Sequence, residues 1–138
     1  MAELQVHSGN YRIESKHLFL TRGSHDTEHG FPVIARHLLL PPVYQTWTIE
    51  RVSESLPGQY QINLEIEPDV FLTADGTDLL WAKEGTQEPW TLVAGPLGFV
   101  IRSPKDLALS APISNAQLKL VDPKSPEVGY YHLEHVLF

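Results

Sequence analysis

The sequence predicts an all-β protein, because frequent turn residues, strand-like alternation and an internal repeat occur together. Its 138 residues include eleven prolines and nine glycines, which favour many short strands joined by turns. In residues 45–52, Trp47 and Ile49 alternate with polar neighbours at the period of two that is typical of a half-buried strand. No segment combines the 3.6-residue apolar period with the capping residues of a helix.

A ribbon of two short strands is repeated three times along the chain. Each copy has a glycine, an aromatic residue, an aliphatic residue two positions later and, after a turn, an apolar-x-Leu-Thr/Ser sequence. The aromatic residues Tyr11, Tyr60 and Phe99 lie 49 and 39 residues apart. Such a period predicts a closed array of units, none of which can bury its apolar face alone. We expect one domain with repeats at about 9–52, 58–95 and 98–138.

Four strands are expected in the first repeat. Residues 9–13 and 18–23 form the opening ribbon, and the polar, glycine-bracketed residues 22–30 are interpreted as a loop. A strand over residues 31–40 ends at a double proline, and residues 45–52 supply the fourth strand. This unit is the template for the other two repeats.

The second and third repeats are predicted to contain the same four strands. They are expected at residues 60–64, 70–73, 79–83, 89–93, 99–102, 107–110, 117–121 and 130–137. The fourth strands keep step, since Trp47, Trp90 and Tyr131 are 43 and 41 residues apart. Twelve short antiparallel strands in a threefold repeat fit a β-trefoil, in which six strands close a barrel and three hairpins cap one end. A β-sandwich is the alternative, but it does not explain the threefold repeat.

Charge and composition disfavour several classes of partner. The net charge of −7 is opposite to the basic face that nucleic-acid phosphates attract. The absence of cysteine excludes disulfides and thiolate metal sites, and suits a reducing compartment. The sequence shows neither the roughly 20 apolar residues of a membrane helix nor a signal peptide. We therefore expect a cytoplasmic protein that contacts neither nucleic acid nor membrane.

Three segments resemble a known family. Residues 8–13, 46–50 and 89–92 are similar to parts of the mushroom β-trefoil protease inhibitors, the fungal serine protease inhibitors more than the mycocypin cysteine protease inhibitors. The resemblance spans nearly the whole chain and rests on scaffold residues. It implies a cytosolic fungal protein that presents one reactive loop to a protease, and we expect no cofactor. It does not specify the loop, because loops are where such scaffolds diverge.

A substrate-like inhibitor of a trypsin-like serine protease needs a Lys or Arg at the tip of a stiff, exposed loop. Residues 122–127 offer Lys124-Ser125 as the bond presented to the enzyme, between Pro123 and Pro126, which restrict the backbone. The same residues also fit a plain type I turn, and Pro126 has no N–H to donate to the enzyme.

Arg22-Gly23 is the second candidate for the reactive loop. The loop is long, although Gly23 adds flexibility and the acidic Asp26 and Glu28 would repel a negatively charged pocket. Inhibition of cysteine proteases, as in the mycocypins, would use a glycine-containing hairpin loop, and residues 14–17 lack that glycine.

A metal site and enzymatic activity are both disfavoured. Residues 25–29 spell His-x-x-Glu-His, which binds zinc in some metalloproteases only when a helix puts both histidines on one face. Here glycines flank a segment too short for a stable helix, so we predict a solvated polar loop. The other histidines are scattered, and no nucleophile–base pair is recognisable.

The rival class is a glycan-binding module. β-Trefoil lectins carry a Gln-x-Trp motif, which is mainly a core signature, and Gln45-Thr46-Trp47 fits it once. The second repeat has Glu88 in place of the glutamine, and no repeated Asp marks a sugar-facing hairpin. Trp81 is a candidate for stacking on a sugar, although it is equally suited to buried packing.

Overall fold

The computed structural model describes residues 6–52, 58–85 and 87–137, and its regular secondary structure is entirely β. The twelve strands in these ranges are β1 (Gly9–Ser15), β2 (Leu18–Arg22), β3 (Phe31–Arg36), β4 (Trp47–Arg51), β5 (Gln59–Leu64), β6 (Val70–Thr73), β7 (Trp81–Glu84), β8 (Trp90–Gly95), β9 (Gly98–Arg102), β10 (Ala108–Leu109), β11 (Leu120–Val121) and β12 (His132–His135). Each predicted strand has a counterpart, which confirms the all-β class. Residues 1–5, where a signal peptide would begin, and Phe138 of the third repeat lie outside the described residues.

Several predicted strands are longer than the observed ones. Residues 117–121 and 130–137 were expected to be extended, but β11 spans Leu120–Val121 and β12 spans His132–His135. The physical reason is visible at β3. Residues 31–40 were expected to be extended, but β3 ends at Arg36. The reason is a side chain: the amide of Gln45 donates to the His37 carbonyl (2.8 Å) and accepts from the Leu39 N–H (2.8 Å). These backbone groups are satisfied without a partner strand, so the ladder stops.

Six strands form a closed ring. Antiparallel pairs join β1 to β4, β4 to β5, β5 to β8, β8 to β9, and β12 back to β1. Phe99 in β9 closes the ring by exchanging backbone hydrogen bonds of 2.8 and 2.9 Å with Tyr131, the residue before β12. A second closed path of seven strands runs through β1, β2, β3, β7, β6, β5 and β4. Ring closure pairs each of these strands on both sides.

Three hairpins meet beside the ring: β2–β3, β6–β7 and the shorter β10–β11. They are joined by a triangle of backbone hydrogen bonds. Val33 N–H donates to Leu80 O (3.1 Å), Leu80 N–H to Leu118 O (3.0 Å), and Leu118 N–H to Val33 O (3.0 Å). All three residues are buried, so the triangle satisfies polar groups that water cannot reach.

The core contains three fully buried aromatic residues that make the same kind of contact. Trp47 Nε1 donates to Leu20 O (3.0 Å), Trp90 Nε1 donates to Leu72 O (2.8 Å), and the Tyr131 hydroxyl donates to Ser110 O (2.6 Å). Burial raises the pKa of the Tyr131 hydroxyl, which therefore keeps its proton and remains a donor. Full burial of large apolar side chains contributes about 1.5–3 kcal/mol each. Among the described residues, no helix is long and apolar enough to span a membrane.

Candidate functional site

In the described part of the chain, clefts lie at three places where the hairpin of one repeat faces the first turn of the next repeat. A cleft of about 180 Å³ lies between Ala74 and Ser103, and one of about 250 Å³ between Ser110 and Lys16. The third, of about 350 Å³, lies between the β2–β3 hairpin and the turn that contains Glu67. We call it the acidic cleft; the lining side chains used below are Asp26, Thr27, Phe31, Glu67, Lys83 and Glu84.

One wall of the acidic cleft is the loop between β2 and β3. Thr27 and Gly30 exchange backbone hydrogen bonds of 2.9 and 3.0 Å, and the Thr27 hydroxyl donates to Gly30 O (2.8 Å). Gly30 has φ +101°, and a Cβ at this position would lie 2.5 Å from Ala82 O in β7. Glycine is required here because both the backbone angle and the close approach exclude a side chain. The loop is thereby held against β7.

Arg22 fixes the aromatic part of the cleft. Its guanidinium carbon lies 4.0 Å from the ring centre of Phe31 and 4.1 Å from that of Tyr44, and its Nε lies 3.3 Å from Glu67 Oε1. Only 9% of the Arg22 side chain is exposed. The exposed reactive loop predicted for Arg22 and Gly23 is thus replaced by a strand end with a covered side chain and a buried glycine. Entry of Arg22 into a protease pocket would require these contacts to break.

A small ionic cluster borders the same cleft. Asp75 accepts from His29 Nδ1 (2.9 Å) and from Lys83 Nζ (3.1 Å). The hydrogen bond from His29, followed by the bond and charge of Lys83, holds the pKa of Asp75 below its ordinary value. The His29 ring also packs on Trp81, with 5.1 Å between ring centres. The cluster orients Lys83 at the edge of the cleft.

Trp81 is not a sugar platform. It is 8% exposed, and its Nε1 donates to Thr77 Oγ1 (2.9 Å). The buried packing foreseen as the alternative is therefore the observed one.

The His-x-x-Glu-His segment forms a loop rather than a helix. His25 is exposed, whereas His29 turns towards Asp75. Within residues 6–52, 58–85 and 87–137, no group of three His, Asp or Glu side chains is arranged to hold a metal ion.

Lys124 occupies an exposed turn and does not line the acidic cleft. Asp122 accepts the Lys124 N–H through Oδ1 (2.8 Å) and the Ser125 N–H through its carbonyl (2.8 Å). A second turn follows, in which Ser125 O accepts from Val128 N–H (3.3 Å). Pro123 and Pro126 are the second residues of these two turns, so the loop follows the turn interpretation rather than an extended conformation.

The Gln-x-Trp motif belongs to the core. Gln45 is fully buried, and its Nε2 donates to Thr21 Oγ1 (3.0 Å). Trp47 is equally buried. These side chains stabilise the fold and are not accessible to a sugar.

Sequence reasoning did not identify the side chains that form the acidic cleft. Asp26 and Phe31 belong to the first repeat, whereas Glu67, Lys83 and Glu84 belong to the second. The available signal was the glycine-bracketed loop at residues 22–30, which indicated an exposed polar loop but not what it faces.

Comparison with known proteins reveals similarity at the level of structure. The sequence matches no protein-family model and no curated protein. A mosquitocidal holotoxin aligns with 96% of this chain at a TM-score of 0.78 and 18% identity, but the alignment covers 18% of that chain. The Rhizoctonia solani agglutinin aligns over 98% of this chain and 100% of its own, with a TM-score of 0.74 and 13% identity.

A third similar structure is Cry35Ab1, with a TM-score of 0.69 and 18% identity over 94% of this chain and 36% of that one. These neighbours are β-trefoil proteins. At such identities the likeness shows a shared β-trefoil fold and nothing finer, so it does not single out the protease inhibitor family. The chain spans about a fifth of the holotoxin chain, about a third of Cry35Ab1 and the full length of the agglutinin.

Proposed function

We propose that this protein is a carbohydrate-binding module and that the acidic cleft is its sugar site. The observation that carries the proposal is the composition of the cleft, where Phe31 lies among the polar side chains of Asp26, Lys83 and Glu84. A sugar ring has an apolar C–H face and a rim of hydroxyl groups, so it suits an aromatic ring surrounded by donors and acceptors. The volume of about 350 Å³ falls in the lower range of small-molecule sites.

Each side chain has a distinct role in this proposal. Phe31 packs against the sugar ring, the carboxylates of Asp26 and Glu84 accept from hydroxyl groups, and Lys83 donates to one of them. Arg22 and Asp75 position Phe31 and Lys83, so few side chains need to be ordered on binding. Binding requires no proton transfer and no covalent step.

Similarity to an agglutinin supports this class over protease inhibition. The alignment covers 98% of this chain and 100% of the agglutinin, so the likeness in fold extends over nearly all of both chains. The names of the three neighbours described above give no comparable support to protease inhibition.

We further infer a single β-trefoil domain of three four-strand units, with repeats at about 9–52, 58–95 and 98–138. Two features support threefold organisation: the hydrogen-bond triangle of Val33, Leu80 and Leu118, and the recurring aromatic-to-carbonyl bonds in the core. The three clefts at corresponding junctions between hairpins and turns add to this support.

Glycan binding is tested by applying the protein, a Phe31→Leu variant and a Tyr130→Leu control to a glycan array. Tyr130 is an exposed aromatic residue outside the cleft. We expect discrete glycan signals for the parent and the control, and strongly reduced signals for Phe31→Leu. An array without signal, or one that Phe31→Leu leaves unchanged, would remove the acidic cleft as a sugar site.

A second candidate function is inhibition of trypsin-like serine proteases through Lys124. It is favoured by the exposure of Lys124 on a turn that hydrogen bonds to Asp122 hold in place. Titration of trypsin with the parent protein and with Lys124→Ala provides the test. Inhibition by the parent that Lys124→Ala abolishes, at an unchanged melting temperature, would support this function. Lack of inhibition by the parent would reject it.

A further inference from the structure

The charges around the acidic cleft are only partly compensated. Its lining includes the carboxylates of Asp26, Glu67 and Glu84 and one ammonium group, that of Lys83. Glu67 lies 3.3 Å from Arg22 Nε, and Lys83 lies 3.1 Å from Asp75. The charges of Glu67 and Lys83 are thus balanced by neighbours.

Asp26 and Glu84 keep their negative charge facing the cleft. Both are exposed, and neither takes part in an ion pair formed by the described part of the chain. The whole chain carries a net charge of −7, which adds a long-range field of the same sign. The cleft therefore attracts cations and repels anions.

A second observation concerns unmet hydrogen bonds. Arg22 Nε and Glu67 Oε1 are both buried atoms without a hydrogen-bond partner among the described residues, although they lie only 3.3 Å apart. The Arg22 side chain is more than nine-tenths buried beneath Phe31, and Glu67 lines the cleft. Because both atoms are closed off from solvent, they cannot bond to a ligand in the cleft, and Asp26 and Glu84 are the carboxylates that are exposed there.

We propose that the acidic cleft selects sugars with a free ammonium group, such as glucosamine units, over their N-acetylated and acidic counterparts. This inference rests on the proposed function and adds the chemical class of the ligand. An ammonium group offers three donors and a positive charge to Asp26 and Glu84. N-acetylation removes that charge, and a carboxylate on the sugar would be repelled by both side chains.

The test compares the calorimetric titration of a glucosamine oligomer with that of the matched N-acetylglucosamine oligomer. Both are titrated at low salt and about pH 6, where carboxylates are ordinarily ionised. We expect binding of the amine to be roughly threefold to tenfold tighter, and the preference to shrink in high salt, because exposed ion pairs are modest and screened.

Two variants and one further probe make the test specific to the cleft. The double variant Asp26→Asn, Glu84→Gln removes both free carboxylates and is expected to abolish the preference. Glu50→Gln, which alters an exposed carboxylate on β4, is expected to retain it. Equal binding of both oligomers, or a preference that survives the double variant, would overturn the inference. Spermine binding as tightly as the glucosamine oligomer would overturn it too, since charge alone would then suffice.

The outcomes also separate this inference from the proposed function. Binding of both oligomers without a preference removes the selection for amines and leaves a sugar site. No binding of either oligomer, together with an array without signal, removes both.

Discussion

The guanidinium carbon of Arg22 lies 4.0 Å from the ring centre of Phe31. Tyr44 covers the guanidinium at 4.1 Å, and Glu67 supplies the opposite charge at 3.3 Å. A charged group that is this deeply covered is retained only where partners compensate its lost hydration. Arg22 thus connects the end of β2 to the cleft and to a turn of the second repeat.

Replacing Arg22 with methionine should destabilise the protein by about 1–3 kcal/mol, because the cation–π contacts are lost and Glu67 keeps a charge without its partner. Chemical denaturation measures the change in the free energy of unfolding. Arg36→Met, at the exposed end of β3, is the matched control and should change it by less than about 0.5 kcal/mol. Equal effects of the two substitutions would show that the packing of Arg22 between Phe31 and Tyr44 contributes no net stability.

Gly30→Ala should destabilise the protein and displace the loop that lines the cleft. The new Cβ would lie 2.5 Å from Ala82 O, at a φ of +101° that side chains rarely adopt. Gly76→Ala is the control, since its φ is +75° but no atom lies within 4 Å of the added Cβ. We expect about 1 kcal/mol for Gly76→Ala and at least twice that for Gly30→Ala, measured by thermal unfolding. A smaller loss for Gly30→Ala would contradict the close packing of the loop on β7.

Asp75 should contribute stability that depends on pH. Its pKa in the folded protein is below the ordinary value, so the contribution is present above about pH 4 and is lost as the pH falls through the folded pKa. Asp75→Asn should therefore be less stable than the parent at neutral pH, and the difference should shrink in acid. Asp78→Asn, an exposed carboxylate in the same hairpin, serves as the control. A difference between parent and Asp75→Asn that is constant with pH would refute the role of the carboxylate charge.

Tyr131→Phe should cost about 1–3 kcal/mol, because it removes the 2.6 Å hydrogen bond to the buried carbonyl of Ser110. Trp47→Phe and Trp90→Phe should cost at least as much, since each also leaves a cavity. Tyr130→Phe, on the exposed neighbouring tyrosine, should be close to neutral. Denaturant titration of the four variants measures these losses. Losses below about 0.5 kcal/mol at all three buried positions would argue against a shared role in three equivalent units.

Local patterns explain why the strands could be predicted. The alternation around Trp47 and the repeated glycine–aromatic ribbons are patterns among residues close together in the sequence. Strands are observed where these patterns occur. The end of β3 was missed because it depends on the Gln45 side chain, nine residues downstream of Arg36. Strand ends set by side chains from elsewhere leave no periodic signal.

The acidic cleft could not be predicted for a related reason. Phe31 and Glu84 are brought together by the pairing of β3 with β7, a long-range contact between two repeats. Arg22 looked exposed because its sequence neighbours are polar, yet its cover comes from Phe31 and Tyr44. The position of the loop at residues 22–30 could be predicted from the sequence, but the residues that it faces depend on tertiary packing.

The location of sugar binding is the central claim, and amide chemical-shift mapping by NMR tests it most directly. The glycan that gives the strongest array signal would be added to the isotope-labelled protein, and the chemical shift of each backbone amide would be followed during the titration. If the acidic cleft binds the sugar, the perturbed amides will cluster at residues 26–31, Glu67 and residues 82–84. Perturbations centred instead on the turn at residues 122–127, or on either of the other two clefts, would contradict it.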